Sequence, residues 1–114
     1  MVPGVRALIR PRFLLAATVA GVAAGLIGMG LEAGTAVGIM AHTSYDWFLL
    51  DMAIARAGLI SVPIYETSSA EQVEWIVTDS DVRVVITESG TLAELVRGAV
   101  AGIGHTVRVL ALDS

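Results

Sequence analysis

Residues that could carry out chemistry are few, and most of them lie between positions 42 and 46. His42, Ser44 and Asp46 have the side-chain types of a nucleophilic triad, but geometry and not proximity along the chain defines a triad. The same segment begins a predicted helix, so capping explains its polar residues better. The second histidine, His105, lies in a glycine-rich turn and is expected to be solvated. Because two isolated histidines do not form a metal site, we assign no catalytic, cofactor-binding or metal-ligating residue.

The composition excludes several classes of function. The chain has 114 residues with no cysteine and no lysine, which removes disulfides, thiolate metal sites and lysine-based mechanisms. Its net charge of −4 is unlike that of a basic nucleic-acid-binding domain. Gly25, Gly28 and Gly30 are spaced as G-x-x-G-x-G, which is not the dinucleotide fingerprint. Hydrophobic residues make up 55% of the chain, above the usual share of a soluble domain, so we expect a chain that is either membrane-associated or a piece of something larger.

Apolar runs alternate with helical segments along most of the chain. Residues 36–41, 59–64, 82–87 and 106–112 have the composition of strands, and residues 44–57, 70–78 and 92–101 have that of helices. This alternation predicts an α/β fold in which an N-terminal helix precedes a parallel three-layer sheet of about four strands. Because the strands are apolar almost throughout, both faces of the sheet should be covered.

Capping signals mark where the predicted helices begin and end. Three pairs have the spacing of a capping box: Ser68 with Glu71, Thr91 with Glu94 and, more weakly, Thr43 with Asp46. Gly58 stands where a helix C′ residue belongs. These signals predict three helices that each follow a strand.

Two of the helices have unusual faces. Trp75 falls on the polar face of its helix, where it is either a tolerated exposed aromatic side chain or a contact with a missing partner. The helix that begins at Ser44 is apolar nearly all round, which is typical of a helix buried in a larger protein.

The N-terminal segment resembles a membrane span in length. Residues 13–31 are uncharged and follow Arg6, Arg10 and Arg12, and Gly21 with Gly25 forms a GxxxG pair. Alanine and glycine dominate the segment, however, and contribute little transfer free energy. A helix packed on a sheet is therefore the favoured interpretation, and a membrane anchor or signal peptide through residues 13–31 is the alternative.

The stretch 34–80 resembles the N-terminal part of long-chain acyl-CoA synthetases, within the acyl-adenylate-forming ligase superfamily. The matching positions are Asp46–Trp47, Ala57–Gly58, Val62–Pro63, Tyr65, Thr67–Ser68–Ser69 and Glu71–Gln72. Residues 13–30 resemble the family's first helix, and residues 82–112 fit its next βαβ unit. The resemblance divides the chain into an atypical leader, residues 1–12, and a partial N-terminal subdomain of an AMP-binding domain, residues 13–114.

The resemblance implies an ATP-dependent ligase that converts a fatty acid to acyl-AMP and then to acyl-CoA. It implies ATP, CoA and Mg²⁺ as cofactors of the full-length family, with a cytoplasmic or peripheral membrane location. The family's phosphate loop, ribose-binding residues and C-terminal catalytic lysine have no counterpart in this sequence. We therefore expect this chain alone to be inactive and to bind none of these cofactors strongly. Its expected partners are the remainder of the ligase and a fatty acid, and no nucleic acid.

Two other functions are compatible with the residues. One is a non-enzymatic α/β module, either a homo-oligomer or a membrane-anchored partner through residues 13–31. The other is a small nucleotide-binding domain, because small polar residues follow the strands at the positions where α/β folds bind ligands.

Overall fold

The computed structural model describes the backbone of residues 11–113 and the side chains of residues 18–113. Within this range, a first helix precedes strictly alternating strands and helices. The elements are α1 (Pro11–Gly28), β1 (Ala36–Met40), α2 (Tyr45–Arg56), β2 (Ile60–Ile64), α3 (Ala70–Asp79), β3 (Val82–Thr87), α4 (Gly90–Val100) and β4 (Arg108–Ala111). The predicted α/β class and the predicted number of strands are confirmed, and the leader predicted at residues 1–12 lies mostly outside the described residues.

The four strands form one parallel sheet in the order β2-β1-β3-β4. All five residues of β1 are buried, because this strand has a neighbour at each edge and helices over both faces. Val37 and Ile39 pack in one core cluster with residues of α1 and α2. Ala36 and Met40 pack in the other, with residues of α3 and α4. The three-layer arrangement that the apolar strands predicted is therefore present.

The first helix packs on the second and does not stand apart from the fold. Val19 and Ala23 of α1 contact Ala53 of α2, and Leu26 joins the core cluster beneath the sheet. Within residues 11–113, no helix combines the length and the hydropathy needed to cross a membrane. The favoured interpretation, a helix packed within an α/β domain, is confirmed for the described part of residues 13–31.

The N-caps differ by one or two residues from the predicted ones. Ser69, and not Ser68, caps α3: its Oγ accepts from the N–H of Gln72 at 3.2 Å, and Gln72 Oε1 accepts from the N–H of Ser69 at 2.8 Å. Ser89 caps α4 by accepting from the N–H of Leu92 at 3.2 Å. The predicted cap Thr91 lies inside that helix.

The N-cap of α2 also differs from the predicted one, whereas its C-terminal glycine does not. Ser44, and not Thr43, caps α2, because its backbone is extended and its Oγ accepts from the N–H of Trp47 at 3.2 Å. Glu94 bonds Arg97 on the surface of α4 at 3.0 Å. Gly58 ends α2 as predicted, with a φ of 77° in the left-handed region that favours glycine.

The burial of β1 predicts where the fold is most sensitive to truncation. Ile39→Ala removes a fully buried side chain from the central strand, and we expect it to lower the free energy of unfolding by about 2–5 kcal/mol. Ile60→Ala is the matched control, because Ile60 lies on the edge strand β2 and is 56% exposed. Urea unfolding followed by tryptophan fluorescence measures both variants. Equal losses in the two variants would contradict the assignment of β1 as the central strand.

The cap of α4 yields a second prediction. Ser89→Ala removes the oxygen that accepts from Leu92 N–H, and we expect a loss of about 0.5–2 kcal/mol in the free energy of unfolding. Thr91→Ala is the control, because Thr91 is exposed within the helix, and we expect a change of about 0.5 kcal/mol or less. Thermal unfolding by circular dichroism compares them, and a larger loss from Thr91→Ala would restore the cap predicted from sequence.

Candidate functional site

The chain order of the strands creates a crevice at the carboxyl edge of the sheet. β1 and β3 lie side by side, yet the helices that follow them belong to opposite layers. The loop after β1 runs to α2 on one face, and the loop after β3 runs to α4 on the other face. Open α/β sheets bind their ligands at such a topological switch point, outside the carboxyl ends of the strands. This edge is therefore the candidate site.

His42 and Glu88 join the two loops that diverge at the switch point. His42 Nδ1 lies 2.5 Å from Glu88 Oε2, and the N–H of Glu88 donates to Met40 O at 3.1 Å. The side chains of His42 and Glu88 are 63% and 27% exposed, so solvent screens the pair. An exposed contact of this kind contributes at most about 1 kcal/mol to stability, and it links the two loops.

His42, Ser44 and Asp46 line one cavity, but they are not hydrogen-bonded to one another as a triad. Ser44 Oγ accepts from Trp47 N–H, His42 pairs with Glu88, and Asp46 lies exposed in the first turn of α2. Capping, which we favoured, accounts for the serine.

The prediction that His105 is solvated is wrong. Its Nε2 lies 2.9 Å from Val82 O and its Nδ1 lies 3.7 Å from Asp81 Oδ1, and the ring is mostly buried. Through these contacts His105 links the turn before β4 to the start of β3, at the amino edge of the sheet.

Two neighbouring cavities open along the carboxyl edge and share Ala41. One of about 210 Å³ is lined by Ala41, His42, Ser44, Asp46, Glu88, Leu112 and Asp113. The other, of about 380 Å³, is lined by Ala41, Thr43, Trp47, Pro63, Ile64, Tyr65 and Glu66. Among these lining residues there is no arginine, and the acids outnumber the one histidine.

The acidic side chains at the carboxyl edge limit which ligands the described residues can bind there. Carboxylates and apolar walls do not neutralise a triphosphate, and the three helix N-termini that point to this edge are already capped by Ser44, Ser69 and Ser89. No three acidic or histidine side chains of residues 11–113 are grouped so as to hold a metal ion. A larger cavity of about 790 Å³ lies at the amino edge, away from the strand ends where α/β folds bind ligands.

The pair between His42 and Glu88 was missed from sequence. Both residues directly follow predicted strands, and this position could have identified them as candidates for the carboxyl edge. Their separation of 46 residues, however, becomes a contact only once β1 and β3 are known to be neighbours. A second missed contact joins α2 to β2, where Ser61 Oγ donates to Asp51 Oδ1 at 2.5 Å.

Comparison with known proteins gives one consistent family. Residues 14–114 match the AMP-binding enzyme family. The long-chain-fatty-acid–CoA ligase FadD15 of Mycobacterium bovis is 49% identical over 74 residues, which are 65% of this chain and 12% of that ligase.

Two solved structures share the fold. A fatty acyl CoA synthetase of Mycobacterium tuberculosis has a TM-score of 0.76 at 25% identity, over 89% of this chain and 20% of that one. The ATP-bound MatB of Rhodopseudomonas palustris has a TM-score of 0.73 at 25% identity, over 87% of this chain and 20% of that one. The chain thus spans about an eighth of the ligase FadD15 and a fifth of each solved structure. With the family match covering nearly all the described residues, the chain belongs to the AMP-binding enzyme family.

Proposed function

We propose that this chain is part of an ATP-dependent long-chain fatty acid–CoA ligase. In the proposed reaction a fatty acid and ATP form acyl-AMP and pyrophosphate, and CoA then takes the acyl group and releases AMP. The observation that carries the proposal is the 49% identity to a long-chain-fatty-acid–CoA ligase over 74 residues. ATP use has further support from the ATP-bound neighbour of the same fold, and CoA and Mg²⁺ follow from the ligase reaction itself.

Within such a ligase, this chain would supply a structural subdomain and not the reacting groups. Its carboxyl edge presents Asp46, Glu88 and Asp113, which repel the phosphates of ATP. The sequence contains no lysine that could neutralise a transferring phosphate. We therefore propose that the 114 residues alone are inactive and that their cofactors bind mainly to other parts of the enzyme.

The outer face of the α1–α2 layer exposes apolar residues, which favours a partner that covers this face. On α1, residues 20, 21, 24, 25 and 27 are exposed and uncharged, and Ile27 is 58% exposed. On α2, Tyr45 and Phe48 are exposed as well. Because a helix surrounded by apolar side chains is typical of the interior of a larger protein, we propose that the remaining polypeptide of the ligase packs there, in the cytoplasm. A homo-oligomer would cover the same face and is the alternative.

The proposal predicts that the isolated chain does not activate fatty acids. Purified 114-residue protein, incubated with palmitate, Mg²⁺ and ATP, should show no palmitate-dependent exchange of labelled pyrophosphate into ATP. The M. bovis ligase serves as the positive control in the same assay. Exchange above the background without palmitate would show that this chain holds a complete adenylation site.

A chimera tests the family role directly. In the M. bovis ligase, the segment that corresponds to residues 34–80 is replaced by residues 34–80 of this chain. We expect palmitoyl-CoA formation to persist, because the exchanged segment supplies the same strands and helices. The same chimera carrying Ile39→Ala should lose heat stability, and the chimera carrying Ile60→Ala should not. A folded but inactive chimera would contradict the proposal.

A further inference from the structure

The solvent side of α3 carries an aromatic groove that the proposed function does not use. This Tyr65–Trp75 groove has a volume of about 370 Å³ and is lined by Tyr65, Ser68, Glu71, Gln72, Trp75 and Ile76. Tyr65 is 81% exposed and Trp75 is 67% exposed. One exposed aromatic side chain is ordinary, whereas two that line one groove of this volume form a candidate site for a small ligand.

The fold brings the two aromatic side chains to one carboxylate. The N–H of Ser68 donates to Tyr65 O at 3.0 Å, which closes a tight turn between β2 and α3. The turn leads directly into α3, so Tyr65 lines the same groove as the first two turns of that helix. Glu71 and Trp75 lie four residues apart on α3, a spacing that holds the two Cβ atoms about 5–6 Å apart on one helix face. A ligand in the groove can therefore contact the carboxylate and the indole ring together.

The electrostatics of the Tyr65–Trp75 groove favour a cation. Of the six described residues that line it, only Glu71 is charged. Among the side chains that the structure describes, Glu71 has no ion-pair partner, whereas Glu94 on the neighbouring helix is paired with Arg97. The place of Glu71 in the first turn of α3 suits the helix dipole, but it does not account for the two aromatic neighbours. A carboxylate and the negative faces of two aromatic rings attract the same kind of ligand, a cation.

The few hydrogen-bond acceptors in the groove select the type of cation. Gln72 Oε1 already accepts from the N–H of Ser69 at 2.8 Å. The other side-chain acceptors are the carboxylate of Glu71 and the hydroxyls of Tyr65 and Ser68. A guanidinium has five N–H donors and a primary ammonium has three, and each donor that turns from water toward a ring without an acceptor costs free energy. A quaternary ammonium has no donor to satisfy, so the groove fits it better than an arginine or lysine side chain.

We propose that the Tyr65–Trp75 groove binds a small soluble quaternary ammonium compound. The cationic head of the ligand lies against the rings of Tyr65 and Trp75, and Glu71 supplies the opposite charge. Its methyl groups cover apolar surface that is otherwise exposed to water. Because this binding is separate from the proposed ligase reaction, its failure in an experiment would leave the proposed function unchanged.

Nuclear magnetic resonance of the nitrogen-15-labelled chain tests the proposal with choline chloride as the probe. The chain has two tryptophans, and Trp75→Phe assigns their two indole N–H signals. We expect choline to shift the Trp75 signal saturably, and NaCl at the same ionic strength to leave it in place. The neutral analogue 3,3-dimethylbutanol has carbon in place of the charged nitrogen. It should bind at least about fivefold more weakly than choline, because it keeps the shape of the cation without its charge.

Four variants that keep Trp75 as the reporter separate the contributions of charge and ring. Glu71→Gln removes the carboxylate and Tyr65→Leu removes one ring, and each should weaken choline binding about two- to fivefold. Tyr65→Phe keeps the ring face and should bind choline as the unaltered chain does. Glu94→Gln is the matched control for charge, because Glu94 is exposed but does not line the groove. It should also leave choline binding unchanged.

Several outcomes would overturn the proposal. One is the absence of a saturable shift with choline, and another is choline binding that neither Glu71→Gln nor Tyr65→Leu weakens. Equal binding of 3,3-dimethylbutanol would assign the groove to a neutral apolar ligand. Tighter binding of ethylguanidinium than of choline would assign it to an arginine side chain of a partner protein. Binding to phosphatidylcholine vesicles without binding of free choline would assign it to a membrane surface.

Discussion

The whole arrangement depends on the burial of one short strand. Every residue of β1 is buried, and at Gly38 an added Cβ would meet Ile64 Cδ1 at 3.0 Å and Val85 Cγ2 at 3.4 Å. A strand enclosed this tightly needs neighbours at both edges and helices on both faces. The chain meets this need by placing β2 at one edge and then crossing back over the sheet to place β3 at the other. The strand order β2-β1-β3-β4 is the result.

The same crossing sends the loops after the adjacent strands β1 and β3 to opposite layers at the carboxyl edge. His42 and Glu88 meet there because β1 and β3 are neighbours, not because the two residues are close in sequence. The crevice is thus a product of topology, while its chemistry depends on the side chains that happen to end those strands. Here three of the charged side chains, Asp46, Glu88 and Asp113, are acidic, so the position of an α/β ligand site is lined mostly by negative charge where it is charged at all.

Sequence patterns predicted the elements well because hydrophobic periodicity is a local signal. The apolar run 82–87 became β3 without change, and Gly58 ended its helix as expected. The caps were harder, because hydroxyl residues stand next to each other at 68–69 and close together at 89–91. Only the extended backbone of Ser69 and Ser89 decides which one caps. His105 was misjudged because its partners, Asp81 and the carbonyl of Val82, approach it only in the folded sheet.

The two helical layers differ in how they meet the solvent. On the α3–α4 layer, charged residues such as Glu74, Glu94 and Arg97 are exposed over a buried apolar face. On the α1–α2 layer, alanine, glycine and Ile27 of α1 are exposed without a single charge between residues 13 and 31. A domain of this size buries only about two thirds of its surface and has a small margin of stability. Covering the α1–α2 layer would bury more apolar surface and so raise the free energy of unfolding. The polypeptide that completes the proposed ligase would therefore also stabilise this fold.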